Sequence, residues 1–292
     1  GLRMLEERIG VPVLGVVPWM DVELEDEDSV TERLGSVSGS GDIDVAVVRL
    51  GHISNFSDFQ ALTLAGGAKV RYVTSARELE GADVIILPGT KNTIEDLLEL
   101  RARGIDAAIV RHARAGGLVV GVCGGYQMLG NRLCDPHHVE SRVPEVAGLG
   151  LLDMDVVFRD EKTTVQATGE IRAETGWLAK LNGVNVDGYE IHAGVNEFHS
   201  ESRPWLYVRG EVDGVTNPQG NVIGSYVHGL FDNGALWRAL RDQVRARRGL
   251  DAQDGETLTM DEYREREFDR IAAIVRASVD MERIYRIARG EE

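Results

Sequence analysis

The chain has 292 residues, with 32 lysines and arginines against 48 aspartates and glutamates, which gives a formal net charge of −16. This acidic balance argues against unaided binding to nucleic-acid backbones or anionic membrane surfaces, because both reward basic patches. Two cysteines do not make a disulfide framework, and no apolar run is long enough to span a bilayer. We therefore expect a cytoplasmic protein that needs neither a nucleic-acid nor a membrane partner.

The first forty residues are predicted to lie outside the main domain. Val11–Val17 (VPVLGVV) has the composition of a buried strand, but no earlier segment is present to pair with it, so we expect a domain of a longer protein. Asp21–Gly41 combines clustered acidic residues with Gly and Ser, which is typical of a solvated linker. A long surface loop within one domain is the alternative.

From residue 43 onward, predicted strands alternate with predicted helices, which indicates a largely parallel sheet with helices on its faces. The predicted strands are Ile43–Leu50, Lys69–Thr74, Asp83–Leu87, Leu118–Val122 and Val222–Val227. The predicted helices are Asp58–Ala65, Thr93–Arg103, Ala107–Ala115, Ala235–Arg247 and Met260–Arg289. An antiparallel extension is indicated by shorter β-like runs at Leu151–Phe158, Thr164–Arg172, Val186–His192 and Tyr207–Val212. The predicted fold class is therefore α/β.

Cys123 lies where an entirely apolar predicted strand meets a predicted helix, in the segment GVCGGYQ. A nucleophile on such a tight turn has a strained backbone conformation, so its neighbours must be small. The helix that begins near Gly124 directs unpaired N–H groups toward the sulfur, which favours the reactive thiolate. The N–H of Gly124 is also a candidate oxyanion donor. We expect Cys123 to be a nucleophile and Cys134 to be a buried structural residue.

A cysteine nucleophile requires a base, and spacing alone leaves His52, His192 and His228 as candidates. His228 has the most favourable context, because it follows the last predicted strand, whose carboxyl end faces the same crevice as the cysteine turn. The turn at Gly89 and Thr90 closes another strand at this edge, and its backbone amides are candidates for the second oxyanion donor.

Several motifs together resemble a known family. The segments GVCGGYQMLG (Gly121–Gly130) and SYVHGLFD (Ser225–Asp232) are similar to the triad-type glutamine amidotransferase domain. Five further segments resemble one particular family, that of the cobyric acid synthases. They are VVRLGHISNFSDF (Val47–Phe59), LPGTKNT (Leu87–Thr93), DP..VE (Asp135–Glu140), GLGLLD (Gly148–Asp153) and GYEIHAG (Gly188–Gly194). The resemblance runs from about residue 10 to about residue 232, and it implies a flavodoxin-like amidotransferase fold.

The resemblance implies an enzyme that hydrolyses glutamine and supplies the ammonia for ATP- and Mg-dependent amidation of adenosylcobyrinic a,c-diamide carboxylates. ATP, Mg and the corrinoid acceptor are expected on an N-terminal synthetase domain of the same enzyme. No cofactor is expected on the present chain, which contains no G-x-x-x-x-G-K-[ST] phosphate loop. Residues 1–41 are then interpreted as the end of the synthetase domain plus a linker, 42–250 as the amidotransferase domain, and 251–292 as a helical extension.

The resemblance also assigns roles to individual residues. It implies that Cys123 is the nucleophile and His228 the base. Many triad amidotransferases carry a Glu two residues after this histidine, but the position is Leu230 here. A third catalytic residue therefore does not follow from the motif, and Asp232 is only a candidate orienter of His228.

The expected binding residues for glutamine come from two motifs. Gln127 of the cysteine turn is a predicted contact, and Tyr189, Glu190 and His192 of GYEIHAG match a family motif near the cleft. No metal-binding residues are predicted. Two alternatives stay open: the same glutaminase serving another acceptor, such as cobyrinic acid a,c-diamide or a peptidoglycan isoglutaminyl substrate, and a non-catalytic interaction module that kept the fold.

Overall fold

The structure is a computed structural model that describes residues 1–20, 37–39, 41–64, 68–173, 176–252 and 259–291. Its helices are α1 (Leu2–Ile9), α2 (Gln60–Leu64), α3 (Thr93–Ala102), α4 (Ile105–Arg114), α5 (Gly124–Met128), α6 (Gly234–Arg247), α7 (Met260–Ser278) and α8 (Met281–Ala288). Short 3-10 helices lie at Phe56–Phe59, Ala76–Leu79 and Gly176–Leu181. The chain divides into two compact units, one made of residues 1–25 and 261–292 and the other of residues 26–260.

The larger unit is built on a single sheet. Its strands are β1 (Ile43–Val48), β2 (Ala68–Val73), β3 (Val84–Leu87), β4 (Leu118–Val122), β5 (Arg132–Cys134), β6 (Glu145–Ala147), β7 (Met154–Ile171), β8 (Asn185–Phe198), β9 (Arg203–Val208), β10 (Glu211–Thr216) and β11 (Val222–Ser225). The order is β2-β1-β3-β4-β11-β10-β9-β7-β5-β6, and β8 pairs with β7 off this path. The predicted α/β fold class is confirmed.

The first five strands of this order run parallel to one another. All residues of β3 and β4 are buried, as expected for parallel strands that are covered on both faces. Beyond β11 the sheet continues antiparallel through β10, β9, β7 and β8, which confirms the predicted extension. The carboxyl ends of β1, β3, β4 and β11 are neighbours, so the loops that follow them meet at one edge of the sheet.

The extension differs from its prediction in two places. Instead of two separate strands, β7 is one strand of 18 residues, with a register shift against β8 between Phe158 and Thr163. The predicted strand Tyr207–Val212 is wrong, because the chain reverses within it. Arg209 and Gly210 have φ angles of 54° and 86°, and two successive residues with positive φ make the tight turn of the β9–β10 hairpin.

The predicted buried strand Val11–Val17 is also wrong. Gly15 forms only an isolated bridge with Val279, and Val11 and Val16 are each 57% exposed. An apolar run forms a buried strand only where neighbouring strands pair with it. The predicted linker Asp21–Gly41 falls mostly outside the described residues, since positions 21–36 and 40 are not among them.

The predicted C-terminal helix Met260–Arg289 is two helices, α7 and α8. The break lies at Asp280, whose carboxylate accepts a hydrogen bond from the N–H of Arg283 at 3.0 Å. This is the geometry of a new helix N-cap, and it explains why one apolar pattern covers two helices. No helix within the described ranges is long and apolar enough to cross a membrane.

The side chain of Asn221 hydrogen-bonds to backbone carbonyl oxygens of the segment before β4, and its contribution to stability can be tested. Its buried side-chain amide donates to the carbonyl oxygens of Ala113 at 2.8 Å and Gly117 at 2.7 Å. Asn221→Ala leaves both carbonyls without this donor, so we expect a loss of about 2–4 kcal/mol in the free energy of unfolding. Urea denaturation measures the free energy of unfolding, and the Asn182→Ala variant, at an exposed position, is the control. Equal stability of the two variants would contradict this.

Candidate active site

The nucleophile turn has the backbone strain that its sequence predicts. Cys123 lies between β4 and α5 with φ 51° and ψ −112°, a conformation that L-residues rarely adopt. A Cβ placed on Gly125 would lie 2.0 Å from the carbonyl oxygen of Leu87, and one on Gly121 would lie 2.7 Å from Cα of Tyr126. Gly121 and Gly125 must therefore both be glycine for the turn to pack between β3 and α5.

His228 is paired with a buried carboxylate through its Nδ1 atom. Nδ1 of His228 lies 2.7 Å from Oδ2 of Asp58, and the other carboxylate oxygen accepts the N–H of Gly229 at 3.0 Å. The side chains of His228 and Asp58 are only 2% and 4% exposed. Asp58 belongs to the 3-10 turn that follows β1, so strand ends that are distant in sequence supply the three groups.

The electrostatics of this pair favour a charged imidazole. Burial alone lowers the pKa of His228, but the charge and hydrogen bond of Asp58 and the nearby Cys123 sulfur outweigh it and raise the pKa to about 10. At neutral pH His228 therefore carries a proton that Asp58 balances.

Gly89, one of the predicted oxyanion residues, lies against both His228 and Cys123. A Cβ placed on Gly89 would lie 2.8 Å from Cε1 of His228 and 3.7 Å from Cβ of Cys123. A Cβ placed on Gly124 would lie 2.6 Å from Cγ2 of Thr90 and 3.1 Å from its backbone nitrogen. The backbone nitrogen of Thr90 therefore lies close to Gly124, the residue that follows Cys123, as an oxyanion site built from these two segments requires. Their catalytic role stays a prediction.

His52, one of the alternative bases, lies behind this turn. Its Nδ1 is 2.9 Å from Oδ1 of the buried Asp96, and the hydrogen bond to Asp96 raises the pKa of His52. Asp96 also accepts a hydrogen bond from the hydroxyl of Thr90. His52 thus supports the oxyanion turn through Asp96, and the imidazole that interacts with Cys123 is that of His228.

The strand β8 covers the catalytic pair. Backbone hydrogen bonds join Tyr189 to His228, and the two rings stack with centroids 5.2 Å apart. The Cys123 sulfur lies 3.4 Å from the carbonyl oxygen of Ile191. The ring of His192, the third candidate base, stacks on Tyr226 at 3.7 Å, and its Nε2 lies 3.4 Å from Glu190. The GYEIHAG segment therefore lines the site, while direct contact with glutamine stays a prediction.

Gln127 lies in the wall of the site with its amide already paired. The side chain is 2% exposed, and its Oε1 accepts from the hydroxyl of Thr93 at 2.9 Å. Its Nε2 donates to the hydroxyl of Tyr226 at 3.3 Å. These bonds fix the orientation of the Gln127 amide, and the predicted contact with glutamine stays a prediction.

The candidate orienter Asp232 requires a correction. The carboxylate on Nδ1 of His228 is that of Asp58, whereas the Asp232 carboxylate lies by Gly229, 3.4 Å from where a Cβ on that glycine would stand. Sequence proximity suggested Asp232, but the chain turns at Gly229 (φ 77°). The signal for Asp58 was its place after β1 within VVRLGHISNFSDF, at the same sheet edge as the cysteine.

These groups define a class of protein. A strained cysteine, a histidine held by a buried aspartate and nearby backbone amides are the groups that a cysteine hydrolase acting on a carbonyl substrate requires. Within the described part of the chain, no group of three or more His, Cys, Asp or Glu side chains is arranged to hold a metal ion.

The comparisons with known proteins narrow this class. The model of the CobB/CobQ-like glutamine amidotransferase domain matches residues 44–236, and the chain belongs to this family. Cobyric acid synthases from Photorhabdus laumondii and Citrobacter koseri are 43% and 44% identical, each over 98% of this chain. The chain spans only 57% and 58% of the length of these two relatives.

A solved structure supports the fold alone. The structure of PurLQS from Thermotoga maritima superimposes with a TM-score of 0.52 at 20% identity, covering 64% of this chain and 87% of that one. The family membership establishes an amidotransferase with glutamine as its substrate and confirms the predicted class of enzyme.

Asp58 provides the sharpest test of the site. Asp58→Asn keeps the shape but removes the charge that holds the proton on His228, so we expect kcat/KM for glutamine to fall by about 10²–10⁴-fold. The charge on His228 is lost as the pH rises through its pKa. Because that pKa falls in the variant, the alkaline limb of the pH profile should move to lower pH.

The matched control is Asp232→Asn, which should keep most of the activity and the position of the alkaline limb. Steady-state glutamine hydrolysis across the pH range measures both variants. The assignment fails if Asp232→Asn loses the activity while Asp58→Asn keeps it.

The two cysteines should differ in reactivity. Burial and the Glu145 carboxylate, whose Oε2 lies 3.7 Å from the sulfur, raise the pKa of Cys134. A chloroketone analogue of glutamine should therefore alkylate Cys123 and leave Cys134 unmodified, as read by peptide mass mapping. The denatured chain, in which both thiols are accessible, is the control. Preferential labelling of Cys134 in the folded chain would refute this.

Proposed function

We propose that this chain is the glutaminase part of a cobyric acid synthase, which supplies ammonia for the ATP-dependent amidation of adenosylcobyrinic a,c-diamide carboxylates. The observation that carries the proposal is the Cys123 turn with its buried His228–Asp58 pair, in a chain that is 43–44% identical to cobyric acid synthases. Both cysteines are free, which fits a reducing cytoplasm.

The geometry supports a two-step hydrolysis of glutamine. The Cys123 thiolate attacks the side-chain amide carbon, and the carbonyl oxygen becomes an oxyanion that the amides of Thr90 and Gly124 stabilise. His228 then gives its proton to the leaving nitrogen, and the C–N bond breaks. Ammonia departs, and Cys123 remains linked to the substrate as a γ-glutamyl thioester. In the second step His228 takes a proton from water, which attacks the thioester and releases glutamate and the thiolate.

The residues around this centre would hold the substrate. The ring of Tyr189 covers His228, and its hydroxyl accepts a hydrogen bond from Asn55 at 2.6 Å. Oε1 of Glu190 is buried with no hydrogen-bond partner among the described residues, which leaves it available to a polar ligand. Together with His192 and Gln127, these side chains form the proposed binding pocket.

The acceptor chemistry would belong to a synthetase domain. The curated relatives extend well beyond the matched region, and in the proposed enzyme the additional sequence binds ATP, Mg and the corrinoid. We assign residues 1–25 and 261–292 to the synthetase side of the boundary and residues 26–260 to the glutaminase. Trp19, Ile9 and Phe268 of the smaller unit are 98%, 54% and 51% exposed, which fits a surface that such a domain covers.

The test combines two variants of the nucleophile. Cys123→Ala should abolish glutamine-dependent amidation in the enzyme that carries the synthetase domain, while amidation from added ammonia persists. Cys134→Ala is the matched control and should keep both activities. Loss of both activities in Cys123→Ala would show a structural role for this cysteine.

The same assays separate the competing functions. A glutaminase that amidates another acceptor would hydrolyse glutamine but leave adenosylcobyrinic a,c-diamide unchanged. A non-catalytic interaction module would release no glutamate with the wild-type chain under any condition.

A further inference from the structure

Backbone hydrogen bonds tie the turn at Gly89 and Thr90 to the loop after β1. The N–H of Lys91 donates to the carbonyl oxygen of His52 at 3.0 Å, and the N–H of Ser54 donates to that of Gly89 at 2.9 Å. The two loops therefore support each other at the sheet edge where the candidate active site lies.

Asp96, in the first turn of α3, joins both loops through its side chain. Its Oδ2 accepts hydrogen bonds from the hydroxyl of Thr90 and, at 3.2 Å, from the N–H of His52. Its Oδ1 accepts from Nδ1 of His52 at 2.9 Å. The carboxylate is 1% exposed and is the acceptor in all three bonds, as its ionised form requires. Because charge-assisted bonds are roughly twice as strong as neutral ones, this side chain fixes the two loops firmly.

Thr90 is the residue through which Asp96 reaches the nucleophile turn. Its hydroxyl oxygen donates to Asp96 and accepts the N–H of Asn92 at 3.2 Å. Its backbone nitrogen lies 3.1 Å from where a Cβ would stand on Gly124, the residue that follows Cys123. Threonine is β-branched and has few side-chain rotamers, so an anchored hydroxyl also fixes the direction of the backbone N–H of Thr90.

His52 balances the buried charge of Asp96. Its side chain is 49% exposed, and the hydrogen bond to Asp96 raises the pKa of His52, which favours a protonated imidazole beside the carboxylate. A buried carboxylate is tolerated when it is paired and hydrogen-bonded, and the donors of His52 and Thr90 meet this condition. The steps of glutamine hydrolysis themselves involve neither Asp96 nor His52.

We infer that Asp96 is a positioning residue of the reaction. Through the hydroxyl of Thr90 it directs the Thr90 backbone N–H toward the oxyanion that forms at Cys123. His52 in turn holds the Asp96 carboxylate in place. This inference rests on the proposed glutaminase function and adds to it the side chains that keep the oxyanion site preorganised. Preorganised donors stabilise a developing charge well because they need no reorganisation at the moment of reaction.

Asp96 also lies in the first turn of α3, where a carboxylate can stabilise a helix without any role in the reaction. Two measurements separate these roles. An oxyanion forms only along the reaction path, so a misdirected N–H lowers kcat and leaves KM unchanged. Alkylation of Cys123 by iodoacetamide displaces iodide without forming an oxyanion, so its rate reports whether the nucleophile turn is intact.

Glutamine hydrolysis and the alkylation of Cys123 are measured in the wild-type chain and three variants. Thr90→Val keeps the branched shape but removes the hydroxyl, Asp96→Asn keeps the shape but removes the charge, and the third variant combines both. Each single variant should lower kcat by about 10–10²-fold, which is less than the roughly 10²–10³-fold loss caused by removing an oxyanion donor outright. KM and the alkylation rate should stay within about twofold of the wild-type values, as expected for an interaction made only in the transition state.

The double variant tests whether Asp96 acts through Thr90. Both substitutions break the same hydrogen bond, so the double variant should lose no more kcat than the more damaged single variant. The matched control is Glu95→Gln, which removes an exposed charge from the same turn of α3 and should keep the wild-type kcat.

Three results would overturn the inference. They are a wild-type kcat in Thr90→Val, losses that multiply in the double variant, and an alkylation rate that falls in proportion to kcat, which would show a structural role. A wild-type chain that hydrolyses no glutamine would instead overturn the proposed function, and this inference with it.

Discussion

The ion pair between His228 and Asp58 is the constraint on which the rest of the site depends. Two buried charges are tolerated only when each is paired and hydrogen-bonded, and Asp58 meets this by accepting from Nδ1 of His228 at 2.7 Å and from the N–H of Gly229 at 3.0 Å. Shielding the pair from water requires close cover by β8. That cover explains Gly188, where a Cβ would lie 2.1 Å from the carbonyl oxygen of His228, and the stacked ring of Tyr189.

The parallel part of the sheet places the other residues of the candidate site next to this ion pair. Neighbouring parallel strands end at the same edge, so four loops that are far apart in sequence bring together Cys123, His228, Asp58 and the turn at Gly89 and Thr90. The antiparallel extension then folds over that edge as β7 and β8 and closes it. Catalytic groups are thus held by the rigid core, while the extension shapes the pocket around them.

Sequence patterns identified the groups whose signals are local. The small residues around Cys123 and the strand before His228 each mark a turn at a known edge, and the structure brings both to one place. Asp58 was missed because it pairs with a residue 170 positions later, and its one sequence signal was its place after β1, at the same sheet edge as the cysteine. The hairpin at Arg209 was missed because its two positive φ angles depend on the tertiary pairing of β9 with β10.

The burial around His228 and Asp58 also leaves polar atoms of β8 without hydrogen-bond partners among the described residues. On the covered face of β8, Oε1 of Glu190 and Nδ2 of Asn196 are buried without hydrogen-bond partners among the described residues. Leaving such a group unpaired costs about 1–3 kcal/mol, so bound water or substrate that supplies the matching donor and acceptor stabilises the folded site. An apolar analogue would leave these atoms unpaired, and a pocket built on hydrogen bonds rejects such analogues far more strongly than an apolar pocket does. Selectivity for a polar substrate would therefore follow from the same burial that makes the charge on His228 depend on Asp58.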